Sequence, residues 1–316
     1  MCGIFGLFKT GSLLPEDIDN ANRMFLSQKH RGPDSNGSYI DEQVLLGMTR
    51  LSIVGLIDGD QPIWNDQKTI CIVANGEIYN YQQLGRYKND IEFVDNAVNN
   101  DISRLRDGYG PWAWAWTDGE TVKYASDPQG EKNLYQYQDK NILIVASEIA
   151  PILEYVNCKK QDVPYVNKTW TMLGVTPWQG ITKLEPGRLY ENGRPTTEID
   201  SIWSWIKPNT YASIDEAYEE FKTIWQYTIK TMTPSCPAAL TYSAGLDSNV
   251  ILNSIINLDL YTVNNLGKDP VVERARDFLE GLEQFRLHEI PVDTKRWAEE
   301  YQQLQQRTQL PASSWS

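Results

Sequence analysis

Histidine is almost missing from this chain of 316 residues: only His30 and His288 occur. A metal site built on two histidines would need both, from opposite ends of the sequence, and a Cys–His nucleophile would have to borrow one of them. Cysteine is sparse as well. Cys2, Cys71, Cys158 and Cys236 are scattered with no C-x-x-C pair, so neither a disulfide framework nor a zinc site is indicated. Positive charge is short: 29 Lys and Arg stand against 42 Asp and Glu, a formal balance of −13. That argues against sequence-independent binding to nucleic-acid backbones, although one basic pocket for a nucleotide stays open. No apolar run approaches the ~20 residues of a membrane span, and the N-terminus has neither the basic stretch nor the apolar stretch of a signal peptide. Internal repeats and low-complexity tracts are lacking too. A soluble protein of the reducing cytoplasm, with neither nucleic acid nor membrane as partner, is the expectation.

What is present is a folding composition, with 41% hydrophobic and 11% aromatic side chains. At roughly 100–200 residues per domain, two domains are expected. The first two-thirds reads as β-rich. Apolar runs at Ile4–Phe8, Val44–Val54, Thr69–Ala74, Trp112–Trp116, Thr121–Ala125 and Ile142–Ala146 alternate with turn clusters. In Trp112-Ala113-Trp114-Ala115-Trp116, period two puts three indoles on one face and two alanines on the other, the pattern of an interior strand beneath a second layer. Helices are expected at Pro15–Lys29 and near Phe93–Arg104, and a tight turn at Leu184–Gly187.

The pattern changes around Lys207–Tyr211. Ser213-Ile214-Asp215-Glu216 reads as a capping box, followed by a helical apolar stripe at Ile214, Ala217, Phe221, Ile224, Trp225, Thr228 and Met232 that Pro234 and Pro237 stop. Then come a strand at Ala238–Tyr242, a polar turn, a helix from about Asn249, a strand at Leu260–Val263, a helix opened by Asp269-Pro270, a strand at Arg286–Val292 and a last helix from Asp293. Such a βαβαβα run opens a parallel, doubly wound sheet.

Cys2 follows Met1 directly. Once Met1 is removed, Cys2 carries a thiol and a free α-amine, which titrates near 7.7–8.0 and can take the thiol proton. This is a nucleophile–base pair that needs no histidine. A lone Cys2 would read instead as an inert residue at the head of a strand, so its surroundings decide. Cys2-Gly3-Ile4-Phe5-Gly6, His30-Arg31-Gly32-Pro33-Asp34, Arg50-Leu51-Ser52-Ile53-Val54 and Asn75-Gly76-Glu77-Ile78-Tyr79-Asn80 stand in the order, and near the spacing, of the class II glutamine amidotransferases. Ser126-Asp127-Pro128-Gln129-Gly130, Ala146-Ser147-Glu148 and Pro186-Gly187 fit the same series. Over roughly residues 1–195 the chain resembles the glutaminase domain of the glutamine-hydrolysing asparagine synthetase family.

The resemblance implies an N-terminal-nucleophile αββα sandwich, an α+β fold, over residues 1–206. It makes Cys2 the nucleophile, with the Asn75 side-chain NH₂ and the Gly76 backbone N–H as donors to a tetrahedral oxyanion. Arg50 offers a planar fork for the glutamine α-carboxylate. Glu77 shapes the pocket, and His30 and Arg31 organise a loop. An acid should face the α-ammonium: Asp90, in Asn89-Asp90-Ile91-Glu92, matches best, with Asp95 as a rival because the segment before it is short.

Ser243-Ala244-Gly245-Leu246-Asp247-Ser248 follows a strand and opens a helix, and resembles the S-G-G-x-D-S loop of ATP pyrophosphatases. By that resemblance Ser243, Gly245, Asp247 and Ser248 would cradle the phosphates of ATP, Asp247 would hold Mg, and Val263 would touch adenine. Two departures stand against it. Ala244 replaces a glycine of the family motif, and the family's later S-G-E-G-x-D-E motif and lysine region have no counterpart. A partial Rossmann-like ATP-pyrophosphatase domain is therefore expected over 212–316, about half of what the family's synthetase domain requires, with a tail at Leu310–Ser316 that reads as cut. Three functions remain open: a component of a glutamine-dependent asparagine synthetase acting on glutamine, aspartate and ATP with a partner chain or an oligomeric neighbour; a stand-alone glutaminase; and a non-catalytic regulatory remnant.

Overall fold

The computed structural model describes residues 1–53, 59–65, 68–161, 165–166, 170–171, 174–201, 211–233, 238–255, 258–264, 269–282, 284–293, 295–296, 298–300 and 303. The chain forms two compact units, the first covering Met1–Lys207 and the second Pro208–Gln303.

The first unit holds two six-stranded sheets. One runs β12 (Ile181–Lys183), β8 (Tyr135–Gln138), β9 (Ile142–Ala146), β1 (Gly3–Lys9), β3 (Val44–Arg50), β2 (Ser35–Ile40). The other runs β14 (Arg194–Glu198), β13 (Arg188–Glu191), β7 (Val122–Ser126), β6 (Trp112–Thr117), β5 (Cys71–Gly76), β4 (Ile63–Trp64). Every neighbouring pair in both sheets is antiparallel. Tyr165–Val166 and Trp170–Thr171 form a separate short hairpin, β10–β11.

Side-chain parity sorts the core into layers. Ile4 from β1, Val44, Leu46 and Met48 from β3, Cys71 and Val73 from β5, and Ala113 and Ala115 from β6 pack together between the sheets. The alternate residues Phe5, Leu7 and Leu45 face outward against Ala21 and Met24 of helix α1 (Pro15–Ser27) and Ile149 and Ile152 of helix α4 (Ile149–Tyr155). On the opposite outer face, Trp112, Trp114 and Trp116 bury against Ile91, Phe93, Val94 and Ala97 of helix α3 (Asp90–Asn100). The order is helix, sheet, sheet, helix, and the Trp–Ala alternation marks the boundary between two of its cores. Helix α2 (Tyr81–Leu84) is a single turn. The helix expected near Phe93–Arg104 is two pieces. Asn89 Oδ1 accepts from Glu92 N at 2.9 Å and starts α3 at Asp90, while an extended Asp101 ends it and caps a 3₁₀ turn over Ile102–Asp107.

The second unit has helix α5 (Ile214–Met232) and a three-stranded parallel sheet, β15 (Ala239–Thr241), β16 (Asp259–Asn264) and β17 (Arg286–Pro291), in that order. Helix α6 (Leu246–Leu252) follows β15, and α7 (Pro270–Leu279), capped by Asp269, follows β16. Helix α6 starts three residues before the expected Asn249. Tyr242, Leu252, Leu258, Leu260 and Ala275 make a small core. Ser213 caps α5 as expected, but none of its side chains is buried: Ile214, Phe221 and Ile224 are all more than half exposed. The apolar stripe is real, and an amphipathic pattern fixes only where such residues lie, not what covers them. No helix among the described residues is long and apolar enough to cross a membrane. Val54, Pro234, Pro237, Cys236 and the tail Leu310–Ser316 lie outside the described residues, and the helix expected from Asp293 falls on partly described ones.

Candidate active site

The same parity that builds the inter-sheet core delivers three of the expected site residues to its end. Cys2 continues the inward row of Ile4 on β1, Arg50 that of Leu46 and Met48 on β3, and Asn75 that of Cys71 and Val73 on β5. These meet at a cavity of about 120 Å³, lined among others by Cys2, Arg50, Asn75, Gly76, Glu77 and Asp90. All six glutaminase residues expected from the sequence are in its wall.

Close packing explains the glycines. A Cβ on Gly3 would sit 2.8 Å from Gln28 Oε1 and 2.9 Å from Thr49 Oγ1, and one on Gly76 would lie 2.2 Å from the Pro111 carbonyl oxygen. Cys2 Sγ accepts from Leu51 N at 3.4 Å. Asn75 is 2% exposed, and its side-chain Nδ2 has no partner among the described residues. Arg50 is buried at the end of β3, with Nη1 2.9 Å from Asp60 Oδ1. Cys71, by contrast, is a core thiol that burial pushes up to about 12, an inert partner in the packing.

The cavity's carboxylates are perturbed. Burial raises Asp90, against the opposing pull of backbone N–H groups at Ile78, Asp90 and Ile91; its Oδ2 accepts from Ile78 N at 3.1 Å. Burial also raises Glu77, nearby Asp90 adds to the rise, and Lys132 opposes it. Asp95 is raised by burial too, but it pairs with Asn99 at 2.9 Å and does not line the cavity. Sequence reasoning missed Lys132, which lines the cavity two residues beyond the Ser126–Gly130 motif. It also placed Arg31 in a loop without seeing that Arg31 Nε donates to the Cys2 carbonyl oxygen at 2.9 Å.

In the second unit, Ser243 and Gly245 lie in the turn after β15, and Asp247 and Ser248 in the first turn of α6. With Thr241 opposite Tyr261, Val263 falls at the same carboxyl edge of the sheet. The turn satisfies itself. Ser248 Oγ donates to Gly245 O at 3.1 Å, Gly245 N to Ser243 Oγ at 3.4 Å, and Asn249 N to Gly245 O at 3.0 Å. Ala244 takes φ +53°, the region glycine favours. Among the described residues no group of three His, Cys, Asp or Glu side chains is arranged to hold a metal ion.

Comparison with known proteins bears on the first unit above all. A family model described as "Glutamine amidotransferase domain" matches residues 1–203. Asparagine synthetase B [glutamine-hydrolyzing] of Escherichia coli (strain K12) is 33% identical over 187 residues, covering 55% of this chain and 34% of that protein. Asparagine synthetase [glutamine-hydrolyzing] 1 of Bacillus subtilis (strain 168) is 29% identical over 285 residues, covering 80% of this chain and 43% of the relative. Amidase chry2 of Gibberella zeae is 29% identical over 255 residues, covering 72% and 37%. The chain therefore spans less than half the length of each of these relatives. With a cysteine directly after Met1, a two-sheet sandwich between helices and a family match over most of that sandwich, the chain belongs to the glutamine amidotransferase domain family.

Proposed function

We propose that this chain hydrolyses the side-chain amide of glutamine at Cys2, and that the ammonia passes to an aspartate activated by ATP as β-aspartyl-AMP. That is the reaction of a glutamine-dependent asparagine synthetase. One observation carries the glutaminase reading: Asn75 Nδ2, buried and unpartnered among the described residues, lines the same cavity as Cys2. A buried donor without a partner costs about 1–3 kcal/mol, and an oxyanion forming in the cavity recovers that cost when the barrier is crossed.

In this mechanism removal of Met1 frees the Cys2 amine, which takes the thiol proton as sulfur attacks the amide carbon. Asn75 Nδ2 and the Gly76 N–H hold the oxyanion. Collapse expels ammonia, protonated by the same amine, and leaves a thioester. Water then attacks through a second oxyanion at the same donors and releases glutamate. Arg50 binds the substrate α-carboxylate, exchanging its contact with the exposed Asp60 for a bidentate one. Asp90 binds the α-ammonium, whose charge offsets the burial that raises this carboxyl. Glu77 shapes the wall.

In the second unit Ser243, Gly245, Asp247 and Ser248 receive the phosphates of ATP, and Val263 lies toward adenine. The carboxyl edge of a parallel sheet is where such ligands bind. Magnesium keeps most of its waters and takes one or two carboxylates beside substrate phosphates, a demand that Asp247 alone meets at its minimum. The remaining groups of a synthetase site come from a partner chain or a second copy. The free thiols Cys2, Cys71 and Cys158 suit the reducing cytoplasm. The test is direct: the processed chain given glutamine should release ammonia, and asparagine should form from aspartate and Mg-ATP only with the partner present. Absence of ammonia release from a chain with a verified Cys2 N-terminus would overturn the reading.

A further inference from the structure

Beside Cys2, and outside the lining of the cavity, stands an ion pair that the mechanism above does not use. Arg31 donates from Nε to the Cys2 carbonyl oxygen at 2.9 Å and from Nη1 to Glu148 Oε1 at 2.8 Å. His30 Nε2 lies 3.1 Å from Glu148 Oε2 and 3.2 Å from Oε1. Glu148 is only 8% exposed and sits at the N-cap of α4, where its neighbour Ser147 accepts the Ile4 N–H through Oγ at 3.0 Å. Two consecutive residues after β9 thus grip both flanks of Gly3: Ser147 holds Ile4 directly, and Glu148 holds the Cys2 carbonyl through Arg31. A buried carboxylate must be paired wherever it occurs. What distinguishes this one is its end point, the main chain of the proposed nucleophile.

We propose that Glu148, acting through Arg31 and steadied by His30, is a positioning residue for amide hydrolysis at Cys2. It fixes the peptide plane that follows Cys2 and holds a cation of set strength beside the α-amine that removal of Met1 exposes. The inference rests on the reading that this amine is the base. A nearby cation disfavours protonation, so Arg31 helps keep the amine in its basic form, and the Glu148 carboxylate moderates that effect. In the unprocessed chain the Met1 amine is already lowered, first by burial and then by Arg31 and Lys132, with Cys2 and Asp34 opposing. The charged groups lining the cavity are Arg50 from β3, Glu77, Asp90 and Lys132. Glu148 keeps its charge at neutral pH: burial would raise it, but His30 and Arg31 outweigh burial and hold it below the usual carboxylate range.

The test is the pH dependence of kcat/KM for glutamine hydrolysis by the full, processed chain, whose acid limb reports the base of the free enzyme. Glu148→Gln leaves Arg31 uncompensated, so the acid limb should move to lower pH. Arg31→Gln removes the cation, so the limb should move to higher pH, each shift being roughly 0.5–1 unit. Both variants should lose roughly 10–100-fold in kcat with KM for glutamine little changed, since neither side chain touches substrate. Opposite shifts from the two ends of one ion pair are not produced by general loosening. Shifts of the same sign, or none, would overturn the proposal, as would a loss carried wholly by KM. If Glu148→Gln fails to fold, Glu148→Asp keeps the charge with a shorter reach; it should leave the limb in place and lower kcat, and unchanged kcat would equally overturn the proposal. Cys2→Ala separates the two levels. An inactive Cys2→Ala with immobile limbs elsewhere removes only the role of Glu148, whereas an active Cys2→Ala removes the nucleophile reading and this inference with it.

Discussion

The cavity at the end of β5 and the turn from β15 into α6 both carry polar groups suited to an anion, yet they treat those groups in opposite ways. At the first, Asn75 Nδ2 is buried without a partner among the described residues, and Asp90 and Glu77 are pushed upward by burial. At the second, Ser243, Gly245 and Ser248 spend their hydrogen bonds on one another. The difference follows from the packing beneath. Among the described residues three apolar clusters support the sandwich, while the parallel sheet rests on one small cluster and α5 exposes its apolar face. Unsatisfied, preorganised groups cost stability, and the deep core beneath the cavity at Cys2 offsets that cost.

The largest effect expected is at Cys2. Cys2→Ala, or a chain that retains Met1, should bind glutamine in calorimetry yet release no ammonia in a coupled assay. Asn75→Ala sharpens the contrast further. Loss of an oxyanion donor should lower kcat by about 10²–10³-fold with KM little altered. Because the lost donor was an unpaired buried one, thermal stability should hold steady or rise. A large loss of stability in Asn75→Ala would show that the site is not the preorganised one described.

Next in size is the anchoring of α1. Asp17, 1% exposed, accepts from Leu14 N at 2.6 Å and Lys9 Nζ at 2.7 Å and also binds the Tyr155 hydroxyl of α4. Burial alone would raise its pKa, yet the Leu14 N–H, Lys9 and Tyr155 together hold it below the ordinary value. A carboxylate depressed by folding stabilises fully above its unfolded pKa, near 3.9, and loses that contribution as pH falls through the folded value. Asp17→Ala should therefore cost about 2–4 kcal/mol at pH 7, and the penalty should shrink as the pH is taken below 4. Denaturant melts at a series of pH values check this; a penalty independent of pH would point to lost packing rather than charge.

Much of this was legible in the sequence, for reasons that differ by element. The Trp112–Trp116 alternation needed only period two, and the inward row carrying Cys2, Arg50 and Asn75 obeys the same rule across three strands. Asp90 follows from its place just after the cap Asn89, which turns the first residue of α3 toward the Ile78 N–H. The link from Glu148 to Arg31 spans 117 positions and leaves no local period to read. The exposed stripe of α5 was visible as a stripe, but coverage is a property of tertiary neighbours. Asp90 and Asp95 were both open from the sequence, and kinetics can close the choice. Asp90→Asn should raise KM for glutamine roughly 10–100-fold through loss of a desolvated charge partner, while Asp95→Asn should leave it within about twofold. The reverse result would move the ammonium site about one and a half turns along α3.

The smallest effect concerns the second turn. Ala244 holds φ +53°, a conformation that costs an L-residue roughly 1 kcal/mol or more, and it does so in a turn whose hydroxyls already bond inward. Ala244→Gly releases that strain but gives the unfolded chain more freedom, so net stabilisation should stay within about 1 kcal/mol. Removal of the methyl group also clears the backbone for a phosphate. Mg-ATP binding measured by titration calorimetry should therefore be weak in the parent chain, tighter by a few-fold in Ala244→Gly, and lost in Asp247→Ala. Tight binding by the parent chain that survives Asp247→Ala would mean the turn is as preorganised as the cavity at Cys2, and the contrast between the two regions would fail.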